Sequence, residues 1–146
     1  MSAMSDYLEN KIIDWLLRGQ TFTPPATVYV GLLTAAPSDA GGGTEVSGGS
    51  YARVAVASSL ANWAGSQSAG STTASTGTSG TTSNNAAVTF PAPTANWGTV
   101  THFGVYDASS AGNLLFYAAL TTSKTINNGD AAPSFAAGAL TFQDDN

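Results

Sequence analysis

Between Val54 and Tyr106 the chain carries no Asp, Glu, Lys or Arg, and inside that span Ala64 to Ala86 (AGSQSAGSTTASTGTSGTTSNNA) is dominated by Ser, Thr, Gly and Ala. A segment of that composition cannot supply a hydrophobic core. It is also long for a structureless loop inside a compact domain, where such loops are either functional or disordered. The expectation is a flexible insertion at about 64–86 in an otherwise strand-like chain. Charged residues make up 9% of the whole, against about 25% in ordinary domains. Solubility therefore rests on Ser, Thr, Asn and backbone groups. Reactions that move protons or charge need side chains that this chain barely has, so the first expectation is a protein that works by contact and is not an enzyme.

The length, 146 residues, suits a single domain spanning 1–146, and a domain of this size buries roughly 70% of its extended-chain surface. The formal charge is −5. Lys11, Arg18, Arg53 and Lys124 are too few and too scattered to track phosphates, which argues against nucleic acid as a partner. The same sign disfavours an anionic membrane, and no apolar run is long enough to span one. There is no Cys, which removes disulfides and thiolate metal sites. Acids Asp6, Glu9 and Asp14 interrupt the stretch where a signal peptide would be apolar, so synthesis and retention in the cytoplasm are expected.

Asp6 to Arg18 reads as a helix. Leu8, Ile12, Trp15 and Leu16 recur at helical spacing, Asp6 is placed to cap the start with Glu9 as its capping-box partner, and Gly19 supplies a left-handed stop. Ile13 and Leu17 widen the apolar stripe beyond what a solvent-facing helix needs, so this helix lies on a sheet or docks on another subunit. After Pro24-Pro25 the period becomes two. Strands are expected at Thr27–Leu33, Tyr51–Ser59, Ala87–Phe90, Thr99–Tyr106, Asn113–Leu120, Lys124–Ile126 and Gly138–Phe142. In Thr99–Tyr106, Val100, His102, Gly104 and Tyr106 share one face while Thr101, Phe103 and Val105 share the other. Pro37–Gly49 reads as a glycine-rich loop and Asp107–Gly112 as a hairpin turn. Many short strands separated by Gly, Pro and Asn indicate an all-β sandwich or barrel behind one helix.

Candidate chemistry is sparse. His102, the only histidine, falls mid-strand, where extended chain holds it roughly 16 Å from Asp107. It reads as a half-buried sheet residue that hydrogen-bonds its neighbours. Gly41-Gly42-Gly43-Thr44 lacks the Lys-Ser/Thr and the strand-to-helix setting of a phosphate loop. Asp107, Asp130, Asp144 and Asp145 lack calcium-loop spacing. No metal or cofactor is expected. Glu45 and Arg53 flank a glycine-rich turn in a charge-poor region. They read either as an ion pair pinning the loop, or contacts to a partner, or as an exposed pair worth about 0–1 kcal/mol. Trp97 reads as core. An exposed cleft near Trp63 and Trp97 would instead suit sugar stacking or an interface.

Several blocks carry a resemblance: YLENKIIDWLLRGQTF at the helix, PPATVYVGL after it, Gly43 to Arg53 (GTEVSGGSYAR), Trp97 to Ala108 (WGTVTHFGVYDA) and Gly112 to Leu115 (GNLL). In this order they resemble small virion structural proteins of tailed bacteriophages, in particular capsid decoration or cement proteins; similar sequences also carry tail-fiber labels. The resemblance covers the chain except Ala64 to Ala86. It implies a jelly-roll-like antiparallel β-sandwich on the outer capsid surface, as a homodimer or homotrimer, with the major capsid protein and its own copies as partners and no catalytic residues. The residues expected to make the contacts are Ile12, Trp15 and Leu16 on the helix and Glu45, Tyr51 and Arg53 by the glycine loop, since Tyr, Trp and Arg anchors dominate interface energetics. The rival is a tail-fiber or receptor-binding module recognising a host-surface glycan. A cell-wall hydrolase needs two placed carboxylates, which the charge-free strands do not offer.

Overall fold

The computed structural model describes residues 3–143. Its elements are β1 (Ala3–Met4), α1 (Asp6–Leu17), β2 (Thr27–Ala35), β3 (Thr44–Glu45), β4 (Val54–Ala57), β5 (Thr81–Ser83), β6 (Val88–Thr89), β7 (Gly98–Tyr106), β8 (Leu114–Ile126), β9 (Ser134–Phe135) and β10 (Thr141–Gln143). The main sheet runs β1-β8-β7-β2-β3, with β4 also on β2. The second layer consists of two antiparallel ribbons, β5/β10 and β6/β9. This is an all-β sandwich with one short helix.

Strand β2 lies inside the sheet, which is why its sequence is apolar on both faces: Val30 and Leu33 are fully buried. The ribbons pack on one face through aromatic rings. Phe142 meets Trp63, Phe103 and Phe116 at 5.3–5.9 Å between centroids, and Phe135 meets Phe90 and Phe103. Tilted and edge-to-face pairs at such distances are favourable beyond the area they bury. Val54 and Val56 turn toward this core while Ala55 and Ala57 face out, as the alternation predicts.

Several expectations need correction. Ser5, not Asp6, caps α1: its Oγ accepts from the Leu8 amide at 3.3 Å. The Ser5 hydroxyl also donates to the Leu114 carbonyl, so the cap ties α1 to β8. Asp6 and Glu9 fall in the first turn, where carboxylates suit the helix dipole. Gly19 ends the helix at φ +68°, as expected. In β7 the strict alternation fails. A register shift between Val100 and His102 places Val100 in the core with Phe103 and Val105, because a bulge rotates the side chains that follow it. Lys124–Ile126 is the end of β8 and not a separate strand; Thr125 pairs with Thr99.

The Ser/Thr/Gly stretch is held by its own hydrogen bonds. The two hydrogens of the Gln67 side-chain NH2 are shared among Ser71 Oγ, Thr73 Oγ1 and the Ala74 carbonyl, and its Oε1 accepts from the Thr76 amide. The Ser79 hydroxyl donates to the Ser66 carbonyl. Its end is anchored by Asn84, which is 1% exposed. The Asn84 side chain donates to the Ala86 and Ala136 carbonyls and accepts from the Leu140 amide.

Candidate assembly surface

The six expected contact residues divide into two places. Glu45, Tyr51 and Arg53 form one cluster on the edge of β2. That edge is shared end to end: β4 covers Thr27–Val30 and β3 covers Leu33–Ala35. Between them the Leu32 amide has no strand partner and donates to the Tyr51 hydroxyl at 2.8 Å. The same hydroxyl donates to Glu45 Oε1 at 2.8 Å, so both of its roles are used. Arg53 grips the Glu45 carboxylate through Nε and Nη2 at 2.8 and 2.7 Å. Its Nη1 donates to the Ala108 and Ala111 carbonyls, both at 2.8 Å. The guanidinium also lies 3.5 Å from the Tyr106 ring centroid, a cation–π contact.

Two glycines make this stacking possible. Gly31 and Gly104 face each other across β2 and β7. A Cβ on Gly104 would come within 2.9 Å of Leu114 and the Tyr106 ring, and one on Gly31 within 2.9 Å of Glu45. Without side chains there, Tyr106 packs close to the backbone and Arg53 packs on Tyr106. The Arg53 side chain is 7% exposed and that of Glu45 27%, so the pair is the loop-pinning ion pair and not an exposed one. Burial pushes the Tyr51 phenol well above its ordinary value; the Leu32 amide opposes this and Glu45 adds to it. Tyr106 is raised by burial and then by the Glu45 charge. In the Asp107–Gly112 turn below Arg53, Asp107 accepts from the Asn113 amide and side chain, both at 2.7 Å. These three residues are therefore engaged inside the chain.

The helix is the opposite case. Only Leu8 is buried in α1, and Ile12 is half-buried. Trp15 is 56% exposed, Leu16 66% and Leu17 76%. Ile13, at 49%, belongs to the same surface. Ile13 and Leu17 were legible as excess apolarity but absent from the expected contact set. Leu60, also exposed, gave no sequence signal. The first turn of α1 is pinned on β8, and its last two turns project with nearly all their apolar side chains in solvent. A helix end apolar over most of its circumference belongs inside a larger body, and exposed apolar patches of this kind mark interaction surfaces.

Trp97 is buried, and its Nε1 donates to the Gly49 carbonyl at 2.9 Å, so no cleft forms with Trp97 on display. Trp63 is half-buried and borders a cavity of about 380 Å³ with Ser58, Ser59 and Ser75. His102 is half-buried and shares a hydrogen bond with Thr101 at 2.8 Å. Among the described residues no group of three or more His, Cys, Asp or Glu is arranged to hold a metal; Asp144 and Asp145 lie outside the described residues. No helix among the described residues is long and apolar enough to cross a membrane.

The β-sandwich thus uses Arg53, Glu45 and Asp107 to tie its own loops, and the end of its helix is left uncovered. The chain matches the family model described as podophage GP4 fiber I protein gp80 over residues 3–143. It belongs to that family and is a structural protein of a phage virion. No curated protein matches it. The resemblance to virion structural proteins is thus correct at that level, while the family carries the name of a fiber protein and not of a capsid decoration protein.

Proposed function

We propose that this chain is a fiber component of a podophage virion, held there by the projecting end of α1, and that it acts by protein–protein contact without catalysis. The observation that carries the proposal is the exposure of Ile13, Trp15, Leu16 and Leu17 on one helix end, in a chain whose family is named for a fiber. Such side chains supply the apolar centre of an interface. The Arg53 cluster serves the site indirectly by making the sandwich a rigid mount. Shell decoration, with the major capsid protein as partner, is the second reading. It is favoured by the compact sandwich, since no described element forms a long shaft.

Separating purified particles into shell and tail-fiber fractions tests both. The fiber reading expects the chain with the fibers, in a few copies per particle. Recovery with shells, in proportion to the major capsid protein, would replace it with the decoration reading. Absence from particles would end both.

A further inference from the structure

The sandwich has an apolar recess of about 120 Å³ lined by Val28, Trp63, Val105, Leu115, Phe116 and Phe142, with Thr82 as its one polar neighbour. The Thr82 hydroxyl already donates to the Ala64 carbonyl at 2.7 Å, so an aliphatic group entering the recess strands no polar partner there. No ionisable group lines it. Val28, Trp63, Thr82 and Phe116 are half-buried and form its rim, over a buried floor of Val105, Leu115 and Phe142.

We infer that the Leu16–Leu17 tip of α1 on one copy seats in this recess on a second copy, in a head-to-tail contact. The inference rests on the reading of α1 as the assembly surface and names its partner. The size suits the occupant: a cavity of about 150 Å³ holds a benzene ring, and this recess of about 120 Å³ takes a leucine side chain. Four of the five exposed large apolar side chains among the described residues lie on α1, which makes the matching knob part of the same chain. The chain's own tip does not fill its recess, because Leu17 is 76% exposed. The first turn of α1 shares a different pocket with Tyr106 and Leu114. The four α1 side chains present roughly 500 Å² of surface, at the upper end of patches on monomers and over half of the about 800 Å² per partner that a stable interface uses. Ile13, one turn before Leu17 on the same face of the helix, then lies along the rim of the recess.

Knob and recess are different surfaces, so the contact is heterologous. Each copy engages two neighbours, and the assembly is a ring if the rotation closes and a filament if it does not.

The absence of Cys makes single-cysteine variants clean reporters. An oxidised equimolar mixture of Leu17→Cys and Val28→Cys is expected to give a cross-linked dimer that neither variant gives alone, and the double variant a ladder, because a disulfide needs Cα atoms within about 7 Å. In parallel, sedimentation of the wild-type chain should show concentration-dependent association. Leu17→Asp should weaken it by about tenfold or more, the loss of one buried leucine, without lowering the unfolding temperature. Self-dimerisation of Leu17→Cys alone would show a symmetric helix pair and overturn the inference. So would no association of the wild type at millimolar concentration, or association unchanged in Leu17→Asp. A chain that is present in virions but fails these arms loses the head-to-tail contact and keeps its virion role; one missing from virions loses that role first.

Discussion

At Arg53 each guanidinium nitrogen is engaged: Nε and Nη2 on Glu45, Nη1 on two carbonyls of the hairpin turn, and the flat face on Tyr106. Truncation to Ala leaves the Glu45 carboxylate without its counter-charge and uncovers Tyr106. Arg53→Ala should cost about 3–5 kcal/mol, the range for breaking a buried pair from one side. Arg53→Lys should recover only part of this, because an ammonium cannot reproduce the two-pronged grip. Tyr51→Phe should cost about 1–3 kcal/mol by stranding the Leu32 amide. Urea unfolding measures all three. The phenols add a pH dependence. Tyr51 and Tyr106 are raised by burial, and Tyr117 is raised to about 12 by its hydrogen bond to Asp39. Their native pKa values exceed the unfolded value of about 10, so the folded state holds protons that the unfolded chain has released. Their contribution is complete below pH 10 and declines above it, that of Tyr117 being lost as pH rises through about 12. Thermal unfolding followed across that interval should show the decline, and Tyr117→Phe should make it shallower. The Glu45–Arg53 pairing was visible in sequence as two isolated charges around a turn. The Gly31–Gly104 pair beneath it was not, since only cross-strand register brings those residues together.

At the level of elements, α1 has two halves with different jobs. Leu8 packs on the sheet and Ser5 caps it onto β8, whereas the tip contributes almost nothing to the fold of its own chain. Leu8→Ala should therefore cost about 2–5 kcal/mol, while Leu16→Ser and Leu17→Ser should stay within about 0.5 kcal/mol of wild type, as exposed positions do. Calorimetry distinguishes the two. Helix, stop signal and apolar excess were all readable from the 3.6-residue period. The cap was misplaced by one residue because Ser5 and Asp6 are both good caps, and only the contact with Leu114 decides between them. The register shift beside Val100 was invisible because the extra residues lie in β8, between Ala119 and Lys124, and only the pairing of the two strands reveals them. In the Ser/Thr/Gly stretch, the side-chain amides of Gln67 and Asn84 reach partners that composition cannot reveal.

For the whole molecule, sandwich class followed from turn spacing, whereas the division of the second layer into two ribbons depends on long-range aromatic packing around Phe142. The six residues of the expected contact set fall in two different settings. Ile12, Trp15 and Leu16 are apolar positions on the helix, whereas Glu45, Tyr51 and Arg53 bond to one another within the chain, and that difference is a property of the folded chain. On the proposed function, α1 is the surface through which a charge-poor sandwich joins a virion. The direct measurement is incorporation: particles are grown with the chain supplied as wild type or as the Trp15→Ser, Leu16→Ser, Leu17→Ser variant, and the amount per purified particle is compared by quantitative mass spectrometry. The expected result is a folded variant, with unfolding temperature unchanged, that is depleted at least tenfold from particles. Incorporation at the wild-type level by that folded variant would contradict it.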